Sequence, residues 1–264
     1  MKITFRAVGL AVGIAVLTVA SAGAQAPAAS TKKSAAPAKA STGAKAPASP
    51  YDKALLNPAS LVAKAPAEFD VKFTTTKGDI TIHVTREWSP NGADRFYNLV
   101  KHHFFDGAAF FRNVKGFMVQ FGLSPYPEIT AAWQQATIKD DPGGKESNKP
   151  GYITFAKTGA PNSRTTQLFI NHGNNAGLDP QGFTPFGVVT AGLDIVEQLY
   201  DGYGETPNQG EISAKGKAYL AANFPKLDLI KTTTISGVPA PAAKAPAKSA
   251  TGKKSAGTGA TKKQ

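Results

Sequence analysis

Phe110-Phe111-Arg112-Asn113-Val114-Lys115-Gly116-Phe117-Met118-Val119-Gln120 sets a single arginine among large apolar side chains. On a strand, Phe110 and Arg112 share a face, because side chains alternate with a period of two. Gly116 permits a bend that directs Phe117 and Gln120 toward the same cavity. An unpaired buried charge is costly, so Arg112 requires a partner. Two partners fit the pattern: a carboxylate on a neighbouring strand, or a bound ligand that accepts hydrogen bonds. In the second case the chemistry is that of a permanently charged, fixed donor beside an apolar cup.

Other reactive constellations mostly subtract. With no cysteine among 264 residues, thiol catalysis, disulfides and cysteine-ligated metal centres are excluded. No Gly-x-Ser-x-Gly elbow is present, and Gly144-Lys145-Glu146 lacks the hydroxyl and leading spacing of a phosphate loop. The histidines are His83, His102, His103 and His172, with no pair at i, i+4 beside a glutamate, so neither a metal nor a cofactor is expected. His83 reads as the wet face of a strand, and His102-His103 as a helix end, where imidazole complements the dipole. Asp140-Asp141, in a stretch rich in Pro and Gly, reads as a solvated turn rather than an acid/base pair.

The elements that must position these residues are mainly β. Residues 70–76 and 79–85 form a hairpin candidate, in which Ile80, Ile82 and Val84 alternate with polar positions. Ser89-Pro90 opens a helix whose inner face carries Ala93, Phe96, Leu99 and Val100. An aromatic strand pair follows over 110–114 and 116–122. Residues 123–150 read as a surface excursion with a short helix at 129–136. Strand signals return at 152–156, 167–171 and 184–190, a second helix at 193–200, and a closing strand within 226–236. Short strands with two helices predict a closed barrel whose ends the helices plug.

The sequence resembles the cyclophilins, the peptidyl-prolyl cis–trans isomerases. Phe110 through Gly122 is similar to the family's Phe-x-Arg-x-x-x-Gly-Phe-Met-x-Gln-x-Gly signature. Gly151-Tyr152-Ile153-Thr154-Phe155-Ala156 through Gln167-Leu168-Phe169-Ile170-Asn171 is similar to its central strand, loop and strand. Leu178 through Val189 is similar to its pocket wall and the strand after it. The resemblance covers about residues 69–235 and implies a closed eight-stranded antiparallel barrel capped by two helices. It assigns Arg112 as the catalytic guanidinium and Gln120 as its companion. Phe117, Met118, Phe169, Leu178 and Phe183 become the proline pocket, with Ala156 and Lys157 lining the peptide groove. The implied function is acceleration of rotation about X–Pro bonds in proline-containing polypeptides. The alternative is a peptide-binding chaperone or adaptor with little isomerase activity.

The ends carry a different message. Residues 51–236 hold 18 basic and 18 acidic residues, so the net charge of +12 lies wholly outside them. Lys2 and Arg6, an uncharged apolar run over 7–20 and Ala22-Gly23-Ala24 have the layout of a cleavable secretory signal over 1–24. The apolar run falls short of the roughly 20 residues that span a bilayer, so no transmembrane span is expected in the mature chain. Residues 25–50 and 237–264 consist almost entirely of Ala, Pro, Lys, Ser, Thr and Gly, which predicts disordered tails. Their lysines suit weak contact with an anionic envelope surface. Without arginine or aromatic residues they do not suit nucleic acid. The expected protein is an exported monomer, periplasmic, with secretion as the alternative.

Overall fold

The computed structural model describes residues 49–236. The expected leader over 1–24, the tail over 237–264 and all but the end of the 25–50 linker lie outside the described residues. Eight strands form one antiparallel sheet: β1 (Glu68–Thr75), β2 (Asp79–Thr85), β3 (Arg112–Val114), β4 (Met118–Phe121), β5 (Tyr152–Phe155), β6 (Leu168–Asn171), β7 (Pro185–Ala191) and β8 (Ile230–Ser236). Their spatial order is β3-β4-β6-β5-β7-β2-β1-β8. In β1 and β2 alternate residues are buried, so Phe69, Val71, Phe73, Ile80, Ile82 and Val84 all face the core. Each large apolar side chain fully buried this way contributes roughly 1.5–3 kcal/mol.

The sheet curls into a half-barrel that stays open, correcting the closed barrel expected from the strand pattern. Its edge strands β3 and β8 do not pair; the segments just before them touch at one isolated bridge, Ala109 to Leu229, with backbone hydrogen bonds joining residues 107–110 to 228–230. The chain touches the β8 edge just before β3, after a turn with positive φ at His103 (58°) and Gly107 (80°). Further along β8 a side chain replaces a strand: Asp106 Oδ1 accepts the Thr233 N–H at 2.8 Å.

Among the described residues there are four α-helices, the first three near the expected positions: α1 (Pro90–Lys101), α2 (Pro127–Trp133), α3 (Leu193–Glu197) and α4 (Gln209–Asn223). α1 buries Ala93, Phe96, Leu99 and Val100 against the sheet, as its spacing requires. Its first turn lacks a local side-chain cap. Asp141 supplies one from the excursion, accepting the backbone N–H of Asn91 (2.8 Å) and of Gly92 (2.9 Å). Asp141 is therefore buried rather than in a solvated turn. The excursion also places Ile129 and Trp133 in the main core. α4 has no expected counterpart. It breaks at Gly216 (φ 56°), where a Cβ would meet the Pro125 carbonyl oxygen at 2.3 Å.

Candidate active site

The β3–β4 register sets Arg112 directly opposite Gln120, and the β4–β6 register sets Gln120 opposite Phe169. Met118 and Gln120, two apart on β4, share the face toward Arg112. Arg112 Nη1 donates to Gln120 Oε1 at 3.2 Å and has Met118 Sδ at 3.8 Å. The guanidinium carbon lies 5.9 Å from the centroid of the Phe117 ring. Phe117 reaches this position through a turn at Gly116 (φ 74°), a conformation that favours glycine. Arg112 is half-buried, so its head group reaches the surface.

The apolar wall continues across β6 and the loop before β7. Phe169 and Phe183 meet edge to face at 5.9 Å. Lys157 Nζ stands 5.7 Å from the Phe183 centroid and donates to the Gln181 carbonyl at 2.8 Å. Leu178, in a 3-10 turn over Ala176–Gln181, accepts the Phe183 N–H through its carbonyl. Ala156 donates its N–H to the Gln167 carbonyl at 2.9 Å. The nine candidate residues thus lie on neighbouring strands and loops, linked by these contacts. Cavities of about 240 and 250 Å³ elsewhere share none of these residues.

Two residues at this site escaped the sequence reading. Gln167 Oε1 accepts from Gln120 Nε2 at 2.7 Å, which turns the Gln120 oxygen toward Arg112. Glu205 Oε1 accepts from Arg112 Nε at 2.7 Å and also from Nη2. Of the two partners considered for Arg112, a carboxylate is present, but it comes from a loop and not from a neighbouring strand. No local signal marks either contact, because they close over 47 and 93 residues.

Beneath the wall lies a polar floor. Asn148, fully buried, donates from Nδ2 to Asp179 Oδ1 (2.8 Å) and to the Phe183 carbonyl (2.7 Å). Its Oδ1 accepts from Thr154 and Asn171. Asn175 Nδ2 donates to the Phe117 carbonyl at 2.7 Å. Burial alone would raise the Asp179 carboxyl, but hydrogen bonds from Ser147 and Asn148 and the nearby Lys149 charge hold it below the usual carboxylate range. A carboxyl depressed on folding adds stability above its unfolded value, about 3.9, and loses it as pH falls through the lower folded value. Acid titration of unfolding should therefore show a loss of stability below about pH 4 that Asp179→Asn makes smaller, the remainder coming from other depressed carboxyls such as Asp52 and Asp201. An identical acid limb in the variant would contradict this.

Among the described residues no three His, Asp or Glu side chains gather to hold a metal. Each histidine instead faces one carboxylate: His83 with Asp70, His102 with Asp52, His103 with Asp106 and His172 with Glu197. The site contains a charged donor, an amide that holds it and an apolar cup.

Comparison with known proteins shows the family. Residues 70–216 match the family described as "Cyclophilin type peptidyl-prolyl cis-trans isomerase/CLD". A peptidyl-prolyl cis-trans isomerase of Acinetobacter baylyi is 32% identical over 144 residues, spanning 52% of this chain and 74% of that protein. Peptidyl-prolyl cis-trans isomerase B of Escherichia coli is 28% identical over 174 residues, 63% of this chain and 99% of that one. A crystal structure of cyclophilin AquaCyp293 from Hirschia baltica aligns with 68% of this chain and 78% of its own, at 18% identity and a TM-score of 0.49.

Proposed function

Because this chain belongs to the cyclophilin-type peptidyl-prolyl cis–trans isomerases and is an enzyme of that class, we propose that Arg112 carries its catalysis and that its clients are exported polypeptides. An X–Pro bond turns over a barrier of about 18–20 kcal/mol, since rotation breaks amide resonance. Uncatalysed exchange takes tens to hundreds of seconds. In the twisted state the proline nitrogen becomes pyramidal and regains its lone pair, so a donor aimed at that nitrogen stabilises the transition state and not the ground state.

Arg112 Nη1 is the donor best suited to this. One of its N–H groups is held by Gln120, and the other has only the Met118 sulfur nearby, a weak acceptor. A proline nitrogen arriving over Met118 takes that second N–H at little cost. Phe117, Met118, Phe169, Leu178 and Phe183 hold the pyrrolidine ring while the preceding carbonyl turns, with Ala156 and Lys157 along the groove. The Gln120–Arg112 hydrogen bond beside the apolar cup is the observation that supports this reading most. The test is a coupled cis–trans assay on a prolyl tetrapeptide with the full chain. A rate independent of enzyme concentration would overturn it.

The leader-like pattern over 1–24 supports export, with the periplasm as the working compartment and secretion as the variant. Among the described residues no helix is long and apolar enough to cross a membrane. The enzyme works as a monomer, and its lysine-bearing tails add weak attraction to anionic envelope surfaces. Full-length chain should therefore co-sediment with anionic phospholipid vesicles at low salt and come off as salt is raised. Replacing the ten lysines of 25–50 and 237–264 by glutamine should abolish this. Equal retention of the substituted chain would refute tail attraction.

A further inference from the structure

Arg112 makes its strongest contact away from the proline cup. Glu205 Oε1 takes both Nε and Nη2, the two nitrogens on the edge opposite Nη1. The pair is too exposed to matter much for folding, with Glu205 63% and Arg112 28% accessible. Yet the loop that carries Glu205 is built in. The Gly204 carbonyl accepts the N–H of Asn113, the residue after Arg112, at 3.3 Å. That N–H points outward because β3 is an edge strand of an open sheet. Tyr203 packs edge to face on Tyr200 (4.9 Å) and on Phe224 (5.0 Å), which fixes the loop against α4. Asn208 then caps α4, accepting the Glu211 N–H at 3.0 Å. The backbone bond at Gly204 places Glu205 beside the guanidinium.

We propose that Glu205 is a positioning residue of the isomerase site. It clamps the Nε/Nη2 edge of Arg112, so that the planar fork presents Nη1 to the proline nitrogen. This rests on the reading of Arg112 as the catalytic group. A guanidinium sits at the end of a long, freely turning side chain, and ordering it in advance removes an entropic cost from the transition state. Gln120 alone fixes one corner of the fork; Glu205 fixes the opposite edge, and the two together define its plane.

The test is a double-mutant cycle in full-length protein, reading kcat and KM on a prolyl tetrapeptide. Glu205→Ala should lower kcat by roughly 10- to 100-fold with KM little changed, the scale of a misplaced catalytic group. In an Arg112→Ala background the same substitution should change nothing, since its only route to the reaction is gone. A wild-type kcat in Glu205→Ala, a loss confined to KM, or an undiminished cost in the Arg112→Ala background would each overturn the proposal. The last pattern is also what general damage to the fold would give. If Arg112→Ala is slow while Glu205→Ala is normal, only the clamp is refuted. An Arg112→Ala enzyme at wild-type rate would refute the catalytic reading itself.

Discussion

Arg112→Ala is expected to lower kcat/KM on a prolyl tetrapeptide by roughly 10²–10³, the cost of removing one preorganised donor from a developing charge, about 2.7–4 kcal/mol. The substitution leaves no buried carboxylate stranded, because the Glu205 partner is exposed. The thermal midpoint should therefore stay within a few degrees of wild type. Arg112→Lys should recover little. An ammonium on a flexible stem cannot bond Gln120 and Glu205 together while presenting a third N–H in the plane of a fork. Near-normal turnover in either variant would remove the guanidinium from the mechanism and leave the apolar cup as the source of catalysis.

The largest stability effect is expected far from the groove's charged rim, at Arg164. Its side chain is 2% exposed and that of Asp141 1%. Nη1 donates to Asp141 Oδ2 at 2.9 Å and Nη2 to the Lys139 carbonyl. Asp141 in turn caps α1. Removing one member of such a pair leaves the other charge buried and costs about 3–5 kcal/mol. Arg164→Ala should thus lower the thermal midpoint by roughly 6–20 °C. Some relief comes from Arg95, pushed down to about 10 by its burial and by the Arg164 charge. It is small beside the loss, because Arg95 keeps its own carbonyl partners at Ala136 and Thr165. Lys145→Ala, at an exposed pair with Glu87, should change stability by less than about 1 kcal/mol. Calorimetry giving the two variants similar midpoints would show that the Arg164 network does not hold the excursion to α1.

What could be read in advance follows from the range of each interaction. β1 and β2 were legible because alternation is a nearest-neighbour signal and one face of each is buried; β4 and β6, buried throughout, were legible as short apolar runs. Arg112 and Gln120 were legible as partners because they lie eight residues apart in one motif. α4 was not, since its break at Gly216 interrupts the helical period and Ile212 is its one fully buried large side chain. Asn208 three residues before Glu211 was the available signal, a capping pattern that needs no long apolar run. Asp141 was misread as solvated because its partners lie elsewhere in the chain: Arg164 lies 23 residues away and the first turn of α1 about fifty. The open edge was equally invisible. Strand patterns give the number of strands but not whether the last meets the first.

That open edge has a consequence for any extended polypeptide that meets it. A row of idle amide groups is a template on which another chain could zip itself into a mixed sheet. Here β3 is three residues long, its Asn113 amide is already taken by Gly204, and on β8 the Thr233 amide is taken by Asp106. At those points a passing polypeptide finds no free partner.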